Sequence, residues 1–160
     1  MSNIRKQLKN LDVSKLRMKS GRTVENELKH HASILADAIM EELDAVYSSY
    51  SPKIYRRTYD VYNSLYIDDK VWIDVTSKGT GLSIGIHFDE GSLHRNFDGE
   101  DSNIIGLLNE GWEWNNNPHI PYLSERDGSH FIESAIEKYR QRVSNPVTVK
   151  FTINGEEKIF

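Results

Sequence analysis

Residues 23–50 read TVENELKHHASILADAIMEELDAVYSSY, and their periodicity sets the architecture of the chain. Val24, Leu28, His31, Leu35, Ile39, Leu43, Val46 and Tyr50 recur in steps of four and three, with no Gly or Pro among them. This spacing lines one face of an α-helix of about seven turns. Thr23 stands before the pattern and suits an N-cap, its hydroxyl accepting a backbone N–H of the first turn. A long helix over about 23–49 is expected.

The same pattern runs on into an aromatic stretch. Residues 47–66 hold six of the eight tyrosines, so this is not average surface. Ser51-Pro52 marks a boundary, because proline disfavours the helical region for its predecessor and suits a helix start. Beyond it Tyr55, Tyr59, Tyr62 and Tyr66, with Ile54, Val61 and Leu65 beside them, predict a second, shorter helix over about 53–66. Residues 71–77 and 82–88 then alternate, with Val71, Ile73 and Val75 sharing one face and Leu82, Ile84, Ile86 and Phe88 another. Lys78-Gly-Thr-Gly81 between them predicts the turn of an antiparallel hairpin.

Asn103 to Trp112 read as a short helix stopped by Gly111. The loops on either side, 89–102 and 112–122, are polar and irregular in pattern. Phe131, Ile132, Ala135, Ile136 and Tyr139 predict a helix to about Arg142, which Asn145-Pro146 ends. Val147, Val149, Phe151 and Ile153 alternate as a strand, and Asn154-Gly155 is a strong two-residue turn that returns Glu156–Phe160 as an edge strand. The element order predicts an α+β fold, with a long N-terminal helix and shorter helices packed on a small antiparallel β-sheet. A single α+β domain over 23–160 follows a basic N-terminal arm, 1–22.

Composition narrows the function. The chain has no cysteine, which excludes a disulfide scaffold, cysteine-ligated zinc and a thiol nucleophile. Apolar residues make up 38 % and charged residues 28 %, a balance that suits a small soluble domain, or one that finishes its burial by oligomerising. No apolar run approaches the roughly 20 residues of a membrane span, and the start lacks the apolar core of a signal peptide. The expected location is the cytoplasm, or an assembly built there, with no membrane partner. Charge is uneven. Residues 1–22 carry seven basic side chains (Arg5, Lys6, Lys9, Lys15, Arg17, Lys19 and Arg22) against Asp12, a net +6; with the whole chain at −4, the remaining residues carry −10. A basic arm on an acidic body reaches a phosphate backbone or docks on a neighbouring copy.

Catalytic constellations are weak. His30-His31 diverge by about 100° on a helix and do not share an ion easily. His87, Asp89 and Glu90, with His94, Asp98, Glu100 and Asp101 downstream, supply ligand types without a ligand spacing, though a metal-dependent hydrolase remains a reading. Asp127, Ser129 and His130 supply the residue types of a triad but lie close together in sequence, with no nucleophile-elbow motif before them. No phosphate-binding or dinucleotide motif occurs, and no cofactor is expected. Trp112 and Trp114 are the aromatic candidates for an interface, a stacking site or a core plug.

Taken together, three segments give the chain a family likeness. Arg57-Thr58-Tyr59-Asp60-Val61-Tyr62-Asn63-Ser64-Leu65 is similar to an Arg-Thr-Gly-x-Leu-x-x-Ser-apolar motif, with Tyr59 in place of the glycine. Leu108-Asn109-Glu110-Gly111 resembles an apolar-Glu-x-Gly signature without its aromatic spacer. Phe131 and Ala135 fit a Phe-x-x-x-Ala helix opening. In this order, over roughly 23–142, they resemble the tail-completion or head–tail joining proteins of long-tailed bacteriophages. The resemblance implies a virion protein of the neck, assembled in the host bacterial cytoplasm and without enzymatic activity. It implies a ring of copies, commonly six, between the capsid connector or adaptor and the tail-tube or tail-terminator proteins, with phage DNA passing through. Arg5, Lys6, Lys9, Lys15, Arg17, Lys19, Trp112 and Trp114 are then the candidate interface. The alternative expectation is a small nucleic-acid-binding module using the basic arm.

Overall fold

A computed structural model describes residues 12, 15–18, 21–49, 60–76, 79–89, 94–95, 101–102, 104–113, 125–153 and 156–160. The fold is α+β, with one long helix, shorter helices and small antiparallel sheets. Helix α1 spans Val24–Ser48, and Thr23 caps it by accepting from the Asn26 N–H at 3.2 Å. Glu25 and Glu27 in its first turn favour the positive end of the helix dipole. Its buried face runs His31, Ala32, Leu35, Ala36, Ala38, Ile39, Leu43, Val46 and Tyr47, the face that the periodicity marks.

That face packs on α4, Phe131–Arg142, whose Phe131, Ile132, Ala135, Ile136 and Tyr139 are buried in turn. Together they form the core, joined by Val61, Leu108 and Val149 and flanked by half-buried Leu65, Ile86, Phe88 and Phe151. At the rim, Arg142 pairs with Glu41 at 2.6 Å and Lys138 with Glu42 at 2.6 Å. Exposed pairs of this kind add little, so apolar burial carries the α1–α4 contact.

A polar link also crosses this core. The Val147 N–H donates to the Tyr139 hydroxyl at 3.0 Å, and the same hydroxyl shares a hydrogen bond with His31 Nδ1, 2.8 Å away. Burial pushes the Tyr139 phenol above its usual range. His30 is exposed, and no group of three or more metal-ligating side chains occurs among the described residues.

The tyrosine stretch departs from expectation. Residues 50–59, and with them Arg57 and Thr58, lie outside the described residues. Helix α2 is described over Asp60–Asn63 and ends there, not at Tyr66. The Ser64 hydroxyl donates to the Val61 carbonyl at 2.7 Å and closes the turn. The next residues form strand β1, Leu65–Ile67, antiparallel to β4, Ile86–Phe88. Val61 and Leu65, four apart, satisfy a helical period as well as a helix-to-strand junction, and the ambiguity hid the change. Tyr66 consequently points away from the core, not into an aromatic face.

The hairpin is also redrawn. Strand β2, Trp72–Thr76, pairs with β3, Gly79–Ser83, in a register that opposes Thr76 to Gly79. Gly79, Thr80 and Gly81 are therefore strand residues and not the turn. The alternating run 82–88 divides at Ile84-Gly85, its first part pairing with β2 and its last part, β4, with β1. Its large apolar residues are all even-numbered, so the sequence period is unbroken where the partner changes. Further on, β5, His94–Arg95, pairs with β6, Asp101–Ser102. Helix α3, Ile104–Glu110, leads directly into β7, Gly111–Glu113, which pairs with β8, Glu125–Asp127. Trp112 is thus a strand residue opposite Arg126, where an irregular loop was expected.

The C-terminal hairpin follows the sequence. Strand β9, Lys150–Ile153, pairs with β10, Glu156–Ile159, with Ile153 opposite Glu156. Val149 and Phe160 extend it by exchanging backbone bonds at 3.0 and 2.8 Å. The expected single sheet is thus a set of two-stranded sheets among the described residues. No helix of the described residues is long and apolar enough to cross a membrane.

Candidate functional site

The most constructed polar region is the joint between α3 and α4. Helix α3 stops because Gly111 adopts φ +83°, the left-handed conformation that glycine takes without a Cβ penalty. The chain returns through Gly128, and here a side chain is impossible: a Cβ would run into the Asn109 carbonyl oxygen and the backbone carbonyl of Glu110. This close approach lets the returning strand cap the helix. Ser129 donates its N–H at 3.0 Å and its hydroxyl at 2.6 Å to the Leu108 carbonyl, and the His130 N–H reaches the Asn109 carbonyl at 2.9 Å. Two carbonyls that a helix end leaves open are thereby satisfied.

The start of α4 is capped from a distance. His130, at φ 49°, is its N-cap residue and makes no side-chain cap. The cap comes from Asn109 on α3, whose Oδ1 accepts the Ile132 N–H at 3.0 Å. Asn109 is fully buried, yet each of its side-chain atoms has a partner. Its Nδ2 donates to Glu110 Oε1 at 3.0 Å and to Glu133 Oε2 at 2.9 Å. A backbone N–H meets only an acceptor and a carboxylate here meets only a donor, so the contacts fix the amide's orientation. Lys158 on β10 closes the network, its Nζ 3.0 Å from Glu110 Oε1 and 3.1 Å from Glu133 Oε1.

The charges follow this geometry. The Lys158 ammonium, and then the Asn109 amide, hold the Glu110 carboxyl below its ordinary range. At Glu133 burial pulls upward, but hydrogen bonds from Asn109 and Lys158 outweigh it and the carboxyl also lies low. Lys158 is raised by Glu110 and then Glu133. The joint is therefore ionised at neutral pH, with one ammonium shared by two carboxylates and a net charge of −1.

A second cluster lies on the surface around Asp68. Its Oδ2 accepts from Trp72 Nε1 at 3.1 Å, and its Oδ1 lies 3.1 Å from His87 Nε2. The Tyr66 ring rests 5.2 Å from the His87 ring, tilted by 31°. The Trp72 hydrogen bond and then the His87 contacts hold the Asp68 carboxyl low. His87 thus pairs with Asp68, which the sequence reading did not single out.

The motif residues converge on the core. Val61, Phe131 and Ala135 are buried in it, and Leu65 packs against it. Ser64 is buried and tied to Val61. Glu110 and Gly111 form the joint, where Asp127 and Gly128 bring Ser129 and His130 to cap α3. The Ser129 hydroxyl is engaged by Leu108, so these residues serve the turn and do not form a triad. Lys15 and Arg17 are exposed. Arg5, Lys6, Lys9, Lys19 and Trp114 lie outside the described residues, as do Glu90, Asp98 and Glu100. Asn109, Glu133 and Lys158 were missed by sequence reading; a single asparagine between Leu108 and the helix-ending Glu110-Gly111 was the one local sign. No family model, curated protein or solved structure matches the chain.

Proposed function

We propose that the chain is a non-enzymatic structural protein of the bacteriophage neck, forming a ring that joins the capsid connector to the tail. One observation carries the reading. The described parts of all three family-like segments meet at one place, with Val61, Phe131 and Ala135 in the same core and Glu110-Gly111 ending the helix that caps α4. Their residue types are those that fix architecture, and the polar groups among them are spent on each other. A protein that works by holding a shape and presenting surfaces needs this, and needs no open acid, base or ion.

The test is assembly. Purified chain is expected to form discrete oligomers as concentration rises, or to form them on isolated connectors or tails, and to enter virions. A chain that stays monomeric at high concentration and enters no virion contradicts the proposal. A second reading rests on the basic arm, where the Lys15 side chain is 82 % exposed. It expects duplex DNA affinity that falls steeply with salt and is lost on removing residues 1–22. Absence of binding at low salt removes it.

A further inference from the structure

Two exposed apolar features of this chain complement each other. The first is the face around Asp68. Tyr66 is 52 % and Trp72 58 % exposed, large values for rings that flank half-buried Leu65, Ile67 and Ile73. Each ring has a partner within the face. Trp72 is pinned through its indole N–H and Tyr66 leans on His87, which the same carboxylate holds. Aromatic rings fixed before a partner arrives lose little entropy on binding, which is what makes such residues interface anchors. Asp68, Asp69 and Asp89 against Lys70 leave this face net negative.

The second feature is a turn ahead of α1. The Met18 N–H donates to the Arg22 carbonyl at 2.8 Å, and the Gly21 N–H returns to the Met18 carbonyl at 2.9 Å. Arg17 bridges to Thr23, the cap of α1, so the turn is anchored on the long helix. It holds Met18 46 % exposed, with Lys15, Arg17 and Arg22 exposed around it. A thioether packs well on aromatic rings, and cations favour both their faces and a neighbouring carboxylate.

In one copy both features stand open, so neither covers the other. Resting on the ring-forming reading, we propose that the Tyr66–Trp72–His87 face of one copy receives the Met18 turn of the next, with Lys15, Arg17 and Arg22 beside its aspartates. A contact between two different patches of identical chains is heterologous, and it propagates into a ring when its rotation closes. The arm's excess positive charge and the body's excess negative charge favour the same pairing.

The absence of cysteine makes the test clean. Lys15→Cys and Asp69→Cys chains, mixed and treated with a short bismaleimide, are expected to give cross-linked dimers well beyond either chain alone. The Lys15→Cys/Asp69→Cys chain is expected to give a ladder ending at one closed species. Trp72→Ala is expected to weaken association about tenfold or more and to abolish the cross-link. Tyr66→Ala repeats the measurement should Trp72→Ala not fold. A chain that assembles without this cross-link, or in which both alanine variants associate like the parent, overturns the docking and leaves the ring reading standing. A cross-linked ladder that joins neither connector nor tail supports the docking and overturns the neck reading. A monomer at every concentration, uncross-linked, overturns the docking.

Discussion

The α3–α4 joint and the Asp68 face are both organised by one short polar side chain, and they differ in where that chain spends its bonds. Asn109 is neutral, fully buried and turned inward, capping α4 and donating to two carboxylates that Lys158 bridges. Asp68 is charged, near the surface and turned toward rings that remain exposed. The difference teaches how a small chain separates shape from contact. Polar groups inside must be matched, because each orphan costs about 1–3 kcal/mol, whereas a carboxylate at the surface can hold rings outward at little cost. Stability is therefore expected to reside in the joint and the core behind it, and association in the face.

Substitutions on the two sides should break this division or sharpen it. The largest effect is expected behind the joint. Val61→Asp places an unpaired charge in the core and should abolish the cooperative melt and the helical circular dichroism. A retained melting temperature would show the packing of the α2–β1 junction to be otherwise. Phe131→Ala empties a fully buried site and is expected to cost about 3–5 kcal/mol in urea unfolding. Asn109→Ala removes the cap of α4 and the donors to Glu110 and Glu133, an expected loss of about 1–3 kcal/mol.

Acid probes the same network more finely. The Glu110 and Glu133 carboxyls are held below their ordinary range in the folded chain. Their contribution is therefore full above that range and is lost as pH falls through the lower, folded values. Urea midpoints followed downward from neutral pH should fall most steeply in that window. Lys158→Met should flatten this acid limb, because the ammonium that lowers both carboxyls is gone. The smallest change in stability is expected on the other side of the comparison: Trp72→Ala should shift unfolding by less than about 0.5 kcal/mol while association falls. A large loss of stability there would mean that the rings belong to the fold.

Much of the framework was legible because its signals are local and long. The period of α1 persists over about seven turns, and Asn154-Gly155 announces the register of β9 and β10. What stayed hidden depends on distant partners. Leu65 fits a helix as well as a strand until Phe88 is placed opposite it. The even-numbered alternation of 82–88 gives no sign that its partner changes midway. Asn109 caps a helix whose N–H lies 23 residues away, and nothing in the residues near it names that partner. Asp68 likewise reads as one acid in a turn until β4 brings His87 to it.

Sedimentation velocity of the Tyr66→Ala/Trp72→Ala chain, at concentrations where the parent assembles, tests the division between shape and contact most directly. The expected result is a slowly sedimenting monomer with the parent's melting temperature. A double variant that assembles like the parent, or that has lost its fold, contradicts it.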